Sequence, residues 1–284
     1  MKDNRDKFSV KKMAEVLEVS RAGFYAWLNR KPSHRQQETI AFDADVKAAF
    51  EKSRKCYGRV RITEALHRSG RSCGRKRVSR SLGRLGLRAR RPRKFIATTD
   101  SKHSFPVAQN LLARNFSAER PNQKWVSDIT YLPCVKGWLY LAVIIDLYSR
   151  RVVGWCVSHS LKHDTVLTAF YRATGLRGTV RGTILHSDRG TQYCCTSFSA
   201  TMKLCGVIQS MSRKGNCWDN AVAESFFSAL KREMLGDYVF KDLADAERRL
   251  FDHIEVFYNR QRLHSTLGNV PPVEFEELKW QNCA

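Results

Sequence analysis

The sequence predicts an α/β fold, a mixed five-stranded sheet flanked by helices, preceded by all-α helix-turn-helix modules. Three observations predict it. The N-terminal third carries apolar residues at helical spacing, broken by short polar turns. From Gln123 the texture changes to alternating or continuous apolar runs of strand length. Beyond Thr165, helix-like and strand-like stretches alternate, the pattern that covers both faces of a sheet.

Composition narrows the class. Of 284 residues, 43% are hydrophobic and 27% charged, which excludes a wholly disordered chain. The longest apolar run, Trp138 to Ile145, is too short to cross a bilayer as a helix, and no apolar segment follows the basic start. No membrane role is expected, and a cytoplasmic location is. The formal net charge is +23. Residues 51–120 hold twenty basic and four acidic residues, so most of the excess sits in one block. A polyanion, nucleic acid above all, is the expected partner. Nine cysteines form no CxxC pair and are odd in number. Neither a disulfide framework nor zinc is expected.

Each element follows in order. Ser9 can cap a helix with Met13, Val16 and Leu17 on one face; Ser20 can cap a second with Phe24, Trp27 and Leu28. Residues 1–32 therefore read as a helix-turn-helix. Residues 40–94 read as a second, basic module of the same kind. It has one helix from Phe42 to Phe50, another at Ile62 and Leu66, and a third with Val78, Leu82 and Leu85 as its buried stripe. Arg75, Lys76, Arg77, Arg80 and Arg84 cover the remaining faces of that third helix, as a major-groove reader or a less specific basic face requires. Arg88, Arg90, Arg91, Arg93 and Lys94 lack apolar periodicity and suit an extended arm tracking phosphates. Residues 95–120 read as a linker.

Three strands come next, Lys124 to Leu132, Trp138 to Asp146 and Arg151 to Val157, joined by turns short enough for an antiparallel meander. Helix Thr165–Thr174, strand Thr183–His186, a helix at 197–204, a strand at Val207–Ile208 and a long helix from about Asp219 to Leu235 complete residues 121–236. That order is ribonuclease-H-like. Residues 237–284 are expected to form a helical extension.

Three carboxylates stand out. Asp128 is mid-strand, Asp188 lies just past the fourth strand, and Glu224 sits in the first turns of the long helix. Such an oxygen-only set on two strand ends and a helix can hold a pair of Mg²⁺ or Mn²⁺ ions for phosphoryl transfer. Asp146 is a rival ligand, read here as a turn former. Asp219 is expected to cap the long helix. Lys231, seven residues after Glu224, shares its helical face and can reach a phosphate. Arg213 and Lys214 precede the helix and can bind flanking phosphates. Trp218 is expected in the core under the helix, with stacking on an unpaired base as the alternative.

These blocks carry a resemblance. The runs Trp125–Tyr131, Tyr140–Arg151, His186–Tyr193 and Ser212–Ala221, then Glu224–Phe227, then Tyr258-Asn259 with Arg262, His264-Ser265 and Leu267-Gly268, are ordered along the chain. From about residue 40 to 278 the chain resembles the DDE transposases of bacterial insertion sequences. It is most similar to their retroviral-integrase-like group (insertion-sequence group three), and looks like the product of the second of its two overlapping frames. The resemblance implies Asp128, Asp188 and Glu224 as catalytic triad and metal ligands, with Lys231 as the basic residue that follows. It also implies cleavage at the ends of an element and strand transfer into a target. The implied partners are double-stranded DNA and, because two ends must meet, further copies of the chain. Two rivals remain from the residues alone: a ribonuclease-H-type nuclease, and a DNA-binding regulator with an inactive core.

Overall fold

In the computed structural model, residues 1–90, 107–213 and 217–281 are described. The N-terminal hairpin consists of α1 (Val10–Val16) and α2 (Arg21–Asn29). Ser9 and Ser20 accept hydrogen bonds from the N–H groups of Lys12 and Gly23, as N-caps do. The expected apolar faces are not buried, however. Only Ala14 and Phe24 are covered, while Val16, Leu17 and Trp27 are exposed, Val16 to 75%. Two helices of seven and nine residues have too little surface to bury both stripes between themselves.

The second module has three helices, α3 (His34–Lys52), α4 (Arg59–Arg68) and α5 (Arg75–Arg84). Ser33 and Gln36 form a reciprocal capping box at the start of α3. Phe42, Val46, Phe50, Ile62, Leu66 and Val78 make the core, with Leu82 and Leu85 against it. Phe257 and Leu263, from far down the chain, belong to the same core, and the Leu263 N–H donates to the Tyr57 hydroxyl at 2.7 Å. The basic module is therefore seated on the C-terminal extension.

The sheet runs β3 (Val152–Ser158), β2 (Gly137–Asp146), β1 (Lys124–Cys134), β4 (Ile184–Ser187), β5 (Ile208–Met211). The first three strands form the expected antiparallel meander; β4 pairs parallel to β1, and β5 parallel to β4. Period-two alternation sorts β1 between two cores. Trp125 belongs to one, under α6 (His163–Arg177), the short α7 (Thr191–Cys194) and α8 (Thr196–Leu204). Val126, Leu132 and Cys134 belong to the other, under α9 (Ala221–Leu230) and α10 (Leu243–Phe251). Gly154 in β3 is needed for the first face. A Cβ there would lie 2.1 Å from the Ala169 carbonyl oxygen of α6.

Two π-helical turns, Lys231–Leu235 and Asp252–Tyr258, directly extend α9 and α10, and α11 (Pro272–Gln281) ends the described chain. Residues 107–120 do more than link. Leu112 is buried in the main core, and Phe116 and Ala118 pack against it. Helix α11 is tied to the sheet end by Glu276, which accepts from Ser149, Arg151 and Arg177.

Candidate active site

The register of β1 and β4 brings two of the three acids together. Lys124 pairs with Ile184, Trp125 with Leu185 and Val126 with His186. Asp128 and Asp188 each follow two residues after the last of these pairs, Asp188 just past the end of β4. Parallel neighbours at equal offset point to the same side, and for Asp128 that is the side shared with Val126 and Leu132, facing α9. Glu224 lies on α9, next to Ala223, Phe226 and Phe227, which anchor that helix in the core.

The charges at this end of the sheet act on one another. Burial raises the Asp128 carboxyl well above the ordinary range, and the charges of Asp188 and, less strongly, Glu224 raise it further. The Ile129 N–H, donating to Asp128 Oδ1 at 2.8 Å, and the Lys231 ammonium oppose the shift. Partial burial also raises Glu224. Lys231 is lowered by burial, with Asp128 pulling the other way. The Tyr193 hydroxyl, hydrogen-bonded to Ser127 at 2.9 Å, is raised by burial and by both aspartates. Asp188 Oδ1 accepts the Gly190 N–H at 2.9 Å; a Cβ on Gly190 would sit 3.0 Å from that oxygen. Glycine thus lets the loop fold back on the carboxylate without covering it.

Among the described residues, no three His, Cys, Asp or Glu side chains converge tightly enough to enclose one ion. Asp128 and Asp188 form a pair, and Glu224, exposed on α9, stands apart. The donor chemistry still fits a hard divalent cation. The set is oxygen-only, and two like charges forced side by side are relieved by a cation.

Other acids near the site have different work. Asp146 accepts the N–H groups of Asn122 and Tyr148, each at 2.9 Å, which makes it the expected turn former. Asp219 does not cap α9. Asn220 holds that position without a side-chain bond, and Asp219 is fully buried. It accepts from the Arg213 backbone and guanidinium, from Arg114 and from Asn110. The Arg213 hydrogen bond in particular holds its carboxyl far below the usual range. Sequence reading missed this because Asn110 and Arg114 lie over a hundred residues away. Trp218 is 68% exposed, so its expected place in the core is wrong. The short 3₁₀ turn Cys217–Asn220 that carries it precedes α9 and leaves the ring outside.

The predicted basic contacts divide. Arg77 donates to Glu38 at 2.8 Å with its guanidinium 4.2 Å from the Phe42 ring centroid. Arg84 grips Asp43 through two bonds of 2.9 and 2.6 Å. Arg75 lies 3.9 Å from Glu64, and Arg90 donates to the Glu233 carbonyl at 3.3 Å. Lys76, Arg80 and Arg88 are exposed. Arg91, Arg93, Lys94 and Lys214 lie outside the described residues.

The chain matches the integrase core domain over residues 118–217 and again, by a second model of that domain, over 205–272; an HTH-like domain matches residues 36–95. Its class is thus the integrase-core enzymes, polynucleotidyl transferases acting on DNA. Relatives go further. The InsF transposase for insertion sequence IS3A of Escherichia coli K12 is 42% identical over 271 residues, 95% of this chain and 94% of its own. A 31 kDa protein of insertion element IS600 from Shigella sonnei is 41% identical over 96% of this chain and 100% of its own. The chain belongs to this family of IS3 insertion-sequence transposases, and its activity is DNA transposition. Among solved structures, the HTLV-2 integrase catalytic core in complex with magnesium aligns with 56% of this chain and 99% of its own, at 15% identity and TM-score 0.44. A simian T-cell lymphotropic virus intasome aligns at 14% identity and TM-score 0.47, covering 78% of this chain and 70% of its own.

Proposed function

We propose that Asp128, Asp188 and Glu224 are the acids with which this transposase cuts DNA strands at element ends and joins them to a target. The observation that carries the proposal is the parallel pairing of β1 with β4, which brings Asp128 and Asp188 to the same end of those strands, with Asp188, Glu224 and Lys231 all acting electrostatically on Asp128. In this reading the three carboxylates hold a pair of divalent cations, Mg²⁺ or Mn²⁺, and no zinc is used. When bound, the cations supply Lewis acidity to the attacking oxygen and charge neutralisation to the leaving one.

The chain's own groups do the rest. Asp128 presents its oxygens from the rigid sheet, and Asp188 from the loop just past β4, where the Gly190 N–H holds its carboxylate. Glu224 brings the third carboxylate from α9. Lys231, on the same side of the helical segment, takes a phosphate oxygen beside the reacting one. Trp218, exposed just before α9, stacks on a base unpaired near the cut. Arg213, already held by Asp219, orders the loop before α9. Lys76, Arg80 and Arg88, with Arg91, Arg93 and Lys94, contact phosphates of double-stranded DNA. Lys214 contacts phosphates flanking the cut. Two ends must be joined, so the working form is a homo-oligomer on DNA, a dimer or larger. No helix among the described residues is long and apolar enough to cross a membrane, and action in the cytoplasm fits this reading.

The test is Asp188→Ala, assayed for cleavage and joining of labelled element ends with Mg²⁺. Activity should fall by more than the about hundredfold that losing a hydrogen bond supporting a metal ligand costs, with DNA binding nearly unchanged. Normal joining by this variant would sink the assignment.

A further inference from the structure

Beyond the triad, one buried acid links the site to the basic module. Glu233 lies in the π-helical turn that starts at Lys231. Its carboxylate takes two hydrogen bonds from buried Arg262, at 2.7 and 2.8 Å, and lies 3.5 Å from Arg61 of α4 and from Arg232. Its carbonyl oxygen accepts from the Cys56 thiol at 3.6 Å and from Arg90 at 3.3 Å. Cys56, Arg61 and Arg90 all come from the basic module. Burial alone would raise the Glu233 carboxyl, but the Arg262 hydrogen bond and charge overcome it and keep the group ionised.

The placement matters because of what precedes it. Lys231 shares the face of Glu224 and acts on Asp128. Two residues on, even the wider π-helical turn has carried the chain through about half a revolution, so Glu233 looks the opposite way. One turn of chain therefore has the carboxylates on one side and the basic module on the other. A fastener between two halves could sit on any surface helix. This one occupies the π-helical turn that leads out of α9, a rare form that is frequent at functional sites.

We propose that Glu233 is a positioning residue that transmits the seating of the DNA-bound basic module to Lys231 and to the helix bearing Glu224. The proposal rests on the reading of Asp128, Asp188 and Glu224 as the site. DNA gripped by α5 and the arm that follows pulls on α4. Arg61 and Arg90 pass that constraint to Glu233, and the turn sets where Lys231 meets the phosphate.

The experiment uses the full chain, Mg²⁺ and duplexes copied from the two ends of the DNA element that encodes it. Cleavage rate is measured against DNA concentration for the parent, Glu233→Gln, Arg61→Gln and the double variant, with melting temperatures alongside. Glu233→Gln should lower the saturated rate at least tenfold while the half-saturating DNA concentration stays within about threefold. Arg61→Gln should lower it in the same sense but less, and the double variant should be no slower than Glu233→Gln alone. A folded Glu233→Gln protein with the parent's saturated rate overturns the proposal, as does a change confined to half-saturation. Should Glu233→Gln fail to fold, Arg61→Gln decides, because it leaves the Arg262 pair intact: an unchanged saturated rate overturns the proposal. Asp128→Ala is run in parallel. If it cleaves normally, the site reading has failed; if it is inactive while Glu233→Gln is normal, only the coupling has.

Discussion

Two kinds of acid lie within this molecule, and their surroundings are opposite. Asp219, Glu233 and Glu276 are each surrounded by arginines, and each carboxyl is held below its ordinary range. Asp128 feels the charge of Asp188 and, more weakly, of Glu224, with Lys231 opposing, and its carboxyl is raised. Desolvation pushes Asp128, Asp219, Glu233 and Glu276 upward alike, so it does not tell a structural acid from a chemical one. The partner does. An acid closed off by guanidinium groups has no lone pair left to offer a cation, whereas an acid beside another acid is a vacancy for positive charge.

The sharpest way to break this comparison is to remove one acid from each set and measure folding. Asp219→Ala should cost about 2 kcal/mol in denaturant unfolding, because Arg213, Arg114 and Asn110 lose their acceptor together. Asp128→Ala should cost nothing or stabilise slightly, because it removes a charge that, among the described residues, only the Lys231 cation opposes. Equal losses at the two positions would erase the distinction.

A finer test uses pH, in chelator. Asp128 is raised in the folded state, so folding takes up a proton and its contribution is whole only below the ordinary value near 3.8. That contribution is lost as pH rises above it. Asp128→Asn should therefore be more stable than the parent at pH 7, the gap closing towards pH 3. Asp219 is lowered, so its contribution is present above 3.8 and lost as pH falls. Asp219→Asn should be less stable at pH 7, its gap closing in the same acid direction with opposite sign. Mg²⁺ should raise the parent's melting temperature and leave that of Asp128→Asn unmoved.

The smallest effects separate the arginines in the same way. Lys76→Ala or Arg80→Ala should reduce the slope of log affinity against log salt by about one, with stability unchanged. Arg84→Ala should destabilise the basic module, since its guanidinium is already committed to Asp43, and leave the slope alone. Identical slopes for Arg80→Ala and Arg84→Ala would show that the ion pair opens on DNA.

What the sequence made legible follows from the range over which each signal acts. The first four strands and the antiparallel meander of the first three could be read because alternation, apolar runs and short turns are local, while the fifth, expected at Val207–Ile208, runs over Ile208–Met211. The caps at Ser9 and Ser20 could be read for the same reason. Asp219 looked like a cap because an aspartate before a helix usually is one; its true partners are brought by the fold. Trp218 was expected inside because tryptophan is costly outside, yet the 3₁₀ turn before α9 holds it in solvent. Val16 and Leu17 have the right period for a buried face, but periodicity only orients a stripe and does not supply the surface that covers it. The residues 107–120, read as a linker, hold Leu112, whose single apolar side chain carried no pattern to detect.

The shared core of the basic module has a consequence for synthesis. Phe42, Val46 and Ile62 emerge from the ribosome early, yet Phe257 and Leu263, which complete their packing, come some two hundred residues later. At translation rates of about 5–20 residues per second, the gap lasts roughly 10–40 s. Through that interval the most cationic part of the chain is made and outside, with one apolar flank still uncovered. The newborn protein meets polyanions before it is a finished enzyme. Whatever it first binds, it binds without the C-terminal seat that joins the module to α9.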